Sequence, residues 1–305
     1  MNIKYGIEGF YTLIKYQTDV NREIIAETAE QVADFPNLIT NGGLDRFMTV
    51  EDFLNYAHVG TGSATPAFTD TALTAFKASS STAATGDNAG TCASVPPYYA
   101  QLVKVKRFAA GVAAGNLTEV GMSWSAATGS LFSRALILDS GGTPTTITLL
   151  ADEVLDVIYT LRVYIPATDI TGTVDGYSYV LRAGYATTYS AGNNAWGMPA
   201  SYFGLHHQSY CTAYPAASVL AAITAYPSGT AYTATSVSDA TYTTGSYTRS
   251  GVITWGLTGG NAAGGIGCIS YRQNWGAFQL SFSPVVAKTS SKVFAVTVSV
   301  SVARL

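Results

Sequence analysis

The chain has 305 residues, with 16 Lys and Arg set against 19 Asp and Glu for a formal net charge of -3. That balance, without any basic run, excludes the electrostatic footprint of a nucleic-acid-binding surface. The absence of a run of ~18 apolar residues and of an apolar core near the N-terminus argues against membrane insertion and against ordinary secretory export. Charged residues make up 11% of the chain, about half the usual share, so the surface is expected to be rich in hydroxyl and aromatic groups. Such a surface gives little charge repulsion, which suits a subunit buried in a homo-oligomer or larger assembly. Cys92, Cys211 and Cys268 are odd in number and lack C-x-x-C spacing, which fits reduced thiols; a Cys92–Cys211 bridge stays open.

In chain order, residues 5–16 and 23–35 read as the arms of a hairpin turned at Asp19 and Asn21, the second arm also fitting a short helix. A helical excursion is expected near 41–55, starting at Asn41-Gly42 with Leu44, Phe47 and Met48 at helical spacing, and Thr49 with Asp52 resembles a helix N-terminus. Y-A-H-V-G-T-G reads as a strand, and residues 78–98 as a long loop or a strand pair. Tyr98 to Ala110 reads as a half-exposed antiparallel strand with Lys104 and Lys106 on its outer face, and Asp139 to Pro144 as a hairpin turn. In Val154 to Ile165 the odd-numbered positions are all apolar, and the strand period of two then specifies which face is buried. Pro166 marks a boundary, and residues 217–250 read as short strands.

A worn copy of the stretch 107–165 closes the chain. Gly111, Gly115, Asn116 and Gly121 match Gly256, Gly260, Asn261 and Gly267, Phe132 matches Phe278, and Leu155 to Val163 match Phe294 to Val302. Fixed-order self-similarity sets architecture before any motif does. The chain is therefore expected to be all-β with minor α, as two tandem antiparallel β-sandwich domains related by internal duplication. The first covers residues 1–167; the second covers 168–305 and carries an aromatic-rich insertion at 184–215.

The runs N-L-I-T-N-G-G-L-D, V-G-T-G-S-A-T-P-A-F-T-D-T-A-L, G-N-L-T-E-V-G-M-S-W, L-F-S-R-A-L-I-L and P-T-T-I-T-L-L-A-D-E-V-L-D-V-I-Y-T-L-R-V-Y resemble a family of virion structural proteins of tailed bacteriophages, described as tail, tail-fibre or tail-tip components. The resemblance covers roughly residues 5–185, and the C-terminal half departs from it. It implies a non-enzymatic assembly subunit of the tail or its appendages, such as fibre, tip or collar. Such a subunit would be made in the host cytoplasm and built into the virion with other virion proteins as partners, with no cofactor and no catalytic residues. A virion adhesin for a host glycan or receptor, a capsid decoration protein and a glycan-cleaving tailspike stay open as alternatives.

Candidate chemistry is sparse. His206, His207 and Cys211 form the nearest approach to a metal set, but adjacent histidines on an extended chain point to opposite faces and no fourth ligand lies nearby, so no metal is expected. A glycan-cleaving site needs two carboxylates facing each other across a sugar. Asp152, Glu153 and Asp156 lie in the first half, Asp175 and Asp239 in the second. The glycine-rich G-T-G and G-G-N-A-A-G-G lack the Lys-Ser/Thr of a P-loop and read as turns, and no G-x-S-x-G is present. Trp196, Tyr202, Phe203, His206, His207 and Tyr210 are the candidate contact residues for a partner or receptor, because aromatic rings enrich recognition surfaces. They fit the core of the second domain equally well.

Overall fold

In the strand over 153–164, Val157, Tyr159, Leu161 and Val163 are fully buried while Ile158, Thr160, Arg162 and Tyr164 are half-buried. That is the period-two pattern of a pleated strand with one face in a core. The same logic runs through a computed structural model that describes residues 1–49, 53–93, 95–184, 211–271 and 277–305. The elements of the first half are β1 (Asn2–Gln17), β2 (Glu30–Pro36), β3 (Leu38–Ile39), α1 (Asn41–Thr49), β4 (Tyr56–Gly60), β5 (Phe76–Ser80), β6 (Ala89–Cys92), β7 (Tyr99–Phe108), β8 (Gly115–Leu117), β9 (Glu119–Ser123), β10 (Leu131–Leu136), β11 (Ile147–Leu149) and β12 (Glu153–Tyr164). The second half adds β13 (Ile170–Val174), β14 (Tyr177–Ala183), β15 (Cys211–Pro215), β16 (Tyr232–Thr233), β17 (Ser236–Asp239), β18 (Thr248–Trp255), β19 (Ile266–Tyr271), β20 (Phe278–Val286) and β21 (Phe294–Arg304). The fold is all-β and sandwich-like, with one α-helix among the described residues.

The chain packs into two units. The leading unit comprises 7–90, 101–162 and 304–305; the trailing unit comprises 1–6, 91–100 and 163–303. The units interleave along the chain, the trailing one taking 1–6 and 91–100 as well as 163–303.

In the leading unit, β2 pairs with β1, β12 lies between β1 and β7, and a second sheet runs β3-β10-β9-β4-β5. In the trailing unit, β17 pairs with β18, β18 with β21, and a second sheet runs β13-β14-β20-β19-β15-β16. The strand pattern therefore recurs: β3, β4, β5, β7, β9, β10 and β12 hold the places that β14, β15, β16, β18, β19, β20 and β21 hold. β9 pairs antiparallel with β10 as β19 does with β20, and β7 lies beside β12 as β18 does beside β21. One pair departs from the antiparallel expectation. The N–H of Ser299 donates to the Met1 carbonyl at 2.7 Å and that of Leu305 to the Ile7 carbonyl at 3.1 Å; the constant offset means that β21 runs parallel to β1.

Each core is aromatic. In the leading unit Tyr159 packs with Tyr11 and Phe132 at centroid distances of 5.0 and 6.2 Å, and the Tyr11 hydroxyl meets Ser133 Oγ at 2.7 Å. In the trailing unit Trp255 stacks on Phe294 at 5.4 Å, Phe282 meets Phe294 edge-on at 5.6 Å, and the Trp255 indole N–H is satisfied by the Tyr232 carbonyl. The polar ends of Tyr11 and Trp255 are satisfied and so add orientation to buried area, whereas the buried Tyr159 hydroxyl has no hydrogen-bond partner.

Several local expectations need correction. The arm at 23–35 is a strand only from Glu30, preceded by a single 3-10 turn at Ala26–Thr28. Thr49 ends α1 rather than starting a helix, and its hydroxyl donates back to the Asp45 carbonyl at 2.8 Å. Lys106 is not on an outer face: it is buried and ion-paired to Asp87 at 3.2 Å. An isolated bridge from Ala83 to Lys106 brings the chain across that part of β7 and covers it.

Candidate functional site

The phrases that carried the family resemblance converge on one buried ion cluster. Glu119 on β9 is fully buried; its Oε1 accepts the N–H groups of Gly62 at 2.9 Å and Ala75 at 2.8 Å, and its Oε2 that of Thr74 at 3.1 Å. Arg134 on β10 donates to the same Oε2 at 2.8 and 3.1 Å, to Asp70 at 2.6 Å and to the Ala64 carbonyl at 2.8 Å. The strand pair thus holds the whole loop 61–75 through one carboxylate and one guanidinium. A Cβ at Gly62 would collide with Glu119 Oε1, so the glycine is required by close approach. Charge-assisted bonds of this kind favour one loop conformation. Thr40 extends the frame: its Oγ1 accepts the Gly43 N–H at 2.8 Å, capping α1, and donates to the Leu131 carbonyl at 2.6 Å.

The trailing unit holds its corresponding loop, between β15 and β16, with a neutral amide. Gln279 on β20 accepts the Ala221 N–H at 2.7 Å and donates to the Ala222 and Ala225 carbonyls at 3.1 and 2.8 Å. Arg182 on β14 donates to the Ala221 carbonyl at 2.7 Å and to both Asp169 oxygens at 2.8 and 2.7 Å. This hydrogen bonding lowers the Asp169 pKa and raises that of Arg182.

The carboxylates considered for glycan cleavage are engaged separately. Asp156 makes a two-pronged pair with Arg107 at 2.7 and 2.5 Å. Glu153 accepts the Leu150 N–H and pairs with Lys15 at 3.2 Å. Asp175 sits in the β13–β14 turn with φ of 50°. Asp239, on β17, differs from all of these: both its oxygens are buried without a hydrogen-bond partner, and burial pushes its pKa up to about 6 against the opposing pull of Arg249. All three cysteines are free. Cys211 and Cys268 are buried, which raises both thiol pKa values, Cys268 to about 12. Among the described residues no group of three or more His, Cys, Asp or Glu is placed to hold a metal ion, and no helix is long and apolar enough to cross a membrane.

Trp196, Tyr202, Phe203, His206, His207 and Tyr210 lie outside the described residues. The described flanks place the segment's attachment: the chain leaves β14 at Gly184, whose N–H donates to the Ala277 carbonyl, and re-enters at Cys211 on β15, paired with Tyr271. In the leading unit the corresponding connection, between β3 and β4, contains α1. In chain order the aromatic insertion lies between β14 and β15 as α1 lies between β3 and β4. Sequence reasoning missed a second feature, a groove of about 340 Å³ lined by Val174, Tyr177, Phe282, Val286, Val293 and Phe294. Val293 is 58% and Val174 39% exposed there; only the V-V and V-F pairs ending β20 and opening β21 hint at it. Comparison with protein-family models, with curated proteins and with solved structures finds no match.

Proposed function

We propose that the chain is a structural subunit of a tailed-bacteriophage virion, built into the tail or its appendages without an enzymatic role. The observation that carries this reading is where the charge sits. Among the described residues, seven charged side chains (Lys106, Glu119, Arg134, Glu153, Asp156, Arg249 and Lys288) are buried, and most of these hold strands and loops together. A chain that is already poor in charge thus leaves still less of it outside, and such a surface favours contact with neighbours over solitary solution life. Two units with clamped loops supply rigid faces, and the groove with exposed Val174 and Val293 supplies apolar area.

A virion adhesin is the second reading, favoured by the aromatic segment that lies, in chain order, where the leading unit has a helix. Immunogold labelling of intact particles tests the first reading, and signal away from tail and appendages would remove it. Glycan-array binding by the full chain would favour the second. The full chain is needed because residues 168–305 alone would lack the β1 residues of the trailing unit. If the insertion is a contact surface, Trp196→Ala with Tyr202→Ala leaves the melting temperature nearly unchanged while lowering assembly or adsorption; a cooperative loss of folding would make it core.

A further inference from the structure

We propose that the loop 259–265 and the turn 287–292 of the trailing unit form a binding site for a phosphate-class oxyanion. The two segments line an open pocket of about 670 Å³ with Asn261, Ala263, Gly264, Lys288 and Ser290 among its walls. Lys288 is only 3% exposed, yet its ammonium meets neutral acceptors alone: Asn261 Oδ1 at 2.7 Å and the Thr289 carbonyl at 2.9 Å. An ammonium has three donors, so one is left over, and no carboxylate among the described residues pairs with it. A buried cation is ordinarily matched by a counter-charge. Desolvation lowers the Lys288 pKa, and an arriving anion would act in the opposite direction.

The loop supplies the remaining donors. Gly260, Gly264 and Gly265 adopt φ of 69°, 79° and 95°, left-handed values that glycine takes without steric cost, and the Gly265 N–H donates to the Ala262 carbonyl at 3.0 Å. Among the described residues the N–H groups of Ala263 and Gly264 donate to no protein acceptor, and neither does the Ser290 hydroxyl.

The internal repeat gives an independent comparison. Asn116 occupies the place of Asn261 in the leading unit, and there its Oδ1 accepts the Thr148 hydroxyl at 2.9 Å. The same acceptor therefore meets a neutral hydroxyl in one unit and an ammonium in the other. Packing needs only the hydroxyl, so the charge in the trailing unit calls for a separate explanation, and an anionic ligand is one. The site does not depend on whether the chain belongs to a virion.

The test is an amide-resolved NMR titration of the full chain with inorganic phosphate, sulfate and glycerol phosphate, against sodium chloride at matched ionic strength. Saturable shifts confined to residues 259–265 and 287–292, with a dissociation constant of about 1–10 mM, are expected. Lys288→Gln should weaken binding at least ~10-fold and Ser290→Ala about 3-fold, as for loss of a charged and a neutral donor. Saturation by glycerol phosphate but not by the inorganic ions would identify the source as an esterified phosphate group. Non-saturating or dispersed shifts in the unmodified protein, or equal affinity in Lys288→Gln, would overturn the site. Should Lys288→Gln fail to fold, the titration of the unmodified protein and of Ser290→Ala decides the matter.

Discussion

Glu119 and Arg134 are each surrounded by groups that match only their charged forms. Removing either leaves the other charge buried, along with up to three loop N–H groups, and breaking a buried pair costs ~3–5 kcal/mol. Glu119→Gln or Arg134→Met should lower the urea midpoint of the leading unit by the corresponding amount, whereas exposed Glu27→Gln should leave it unchanged. Asp239 works in the opposite direction. Its folded pKa of about 6 lies above the ordinary carboxylate value of 3.8, so the folded state binds the proton more tightly, and stability falls as pH rises from 4 through 6. Asp239→Asn should therefore stabilise the protein at pH 7, with a gain vanishing near pH 4. After discounting for partial exposure and for Arg249, we expect about 1–2 kcal/mol, read from thermal melts at the two pH values. Neither role was legible in the residues. The partners of Glu119 are mostly backbone N–H groups from a loop over forty positions earlier, and an acid in a strand reads as an outward-facing one until its neighbours are known.

Elements long enough to show a period were legible, and short ones were not. β1 and β12 announced themselves because each is long, at 16 and 12 residues, and alternates over most of the first and over the second from Val157 onward. β3 and β16 have two residues each and β8 and β11 three, too few to display a period, so they are set by pairing alone. α1 was visible in Leu44, Phe47 and Met48, all buried, and it starts at Asn41 as read, but it ends at Thr49 and its cap, the side chain of Thr40, was not foreseen. Thr40→Ala removes that cap and the bond to the Leu131 carbonyl together. It should cost about 1–2 kcal/mol, measurable by denaturant unfolding, with Thr40→Ser restoring most of it. The aromatic insertion and the groove stand at the other extreme: spacing could single out the rings of the first, while the second depends on which strand ends meet.

At the scale of the molecule the repeat was legible from a handful of glycines and one alternating strand, and the shared strand order carries it much further than sequence identity does. The exchange of strand ends was not legible, since nothing local distinguishes residues 2–6 from 7–17 of one continuous strand. Assembly predictions belong here. In a particle, the weakly charged surface should bury more than ~1,000 Å² in total against neighbouring subunits, and a particle map showing only smaller contacts would remove the idea. Deleting residues 294–305 should leave β18 without its partner and the protein prone to aggregate on size-exclusion chromatography, because an unpaired edge is a template for other chains. The parallel pairing of β1 with β21 also has a consequence in time. Ser299 finds Met1 298 positions earlier in the chain, so at ~5–20 residues per second of synthesis the first strand emerges about 15–60 s before its mate exists. The leading unit can shelter residues 7–17 as it forms. Residues 2–6 must wait until β21 has been synthesised, and the trailing unit becomes complete only then.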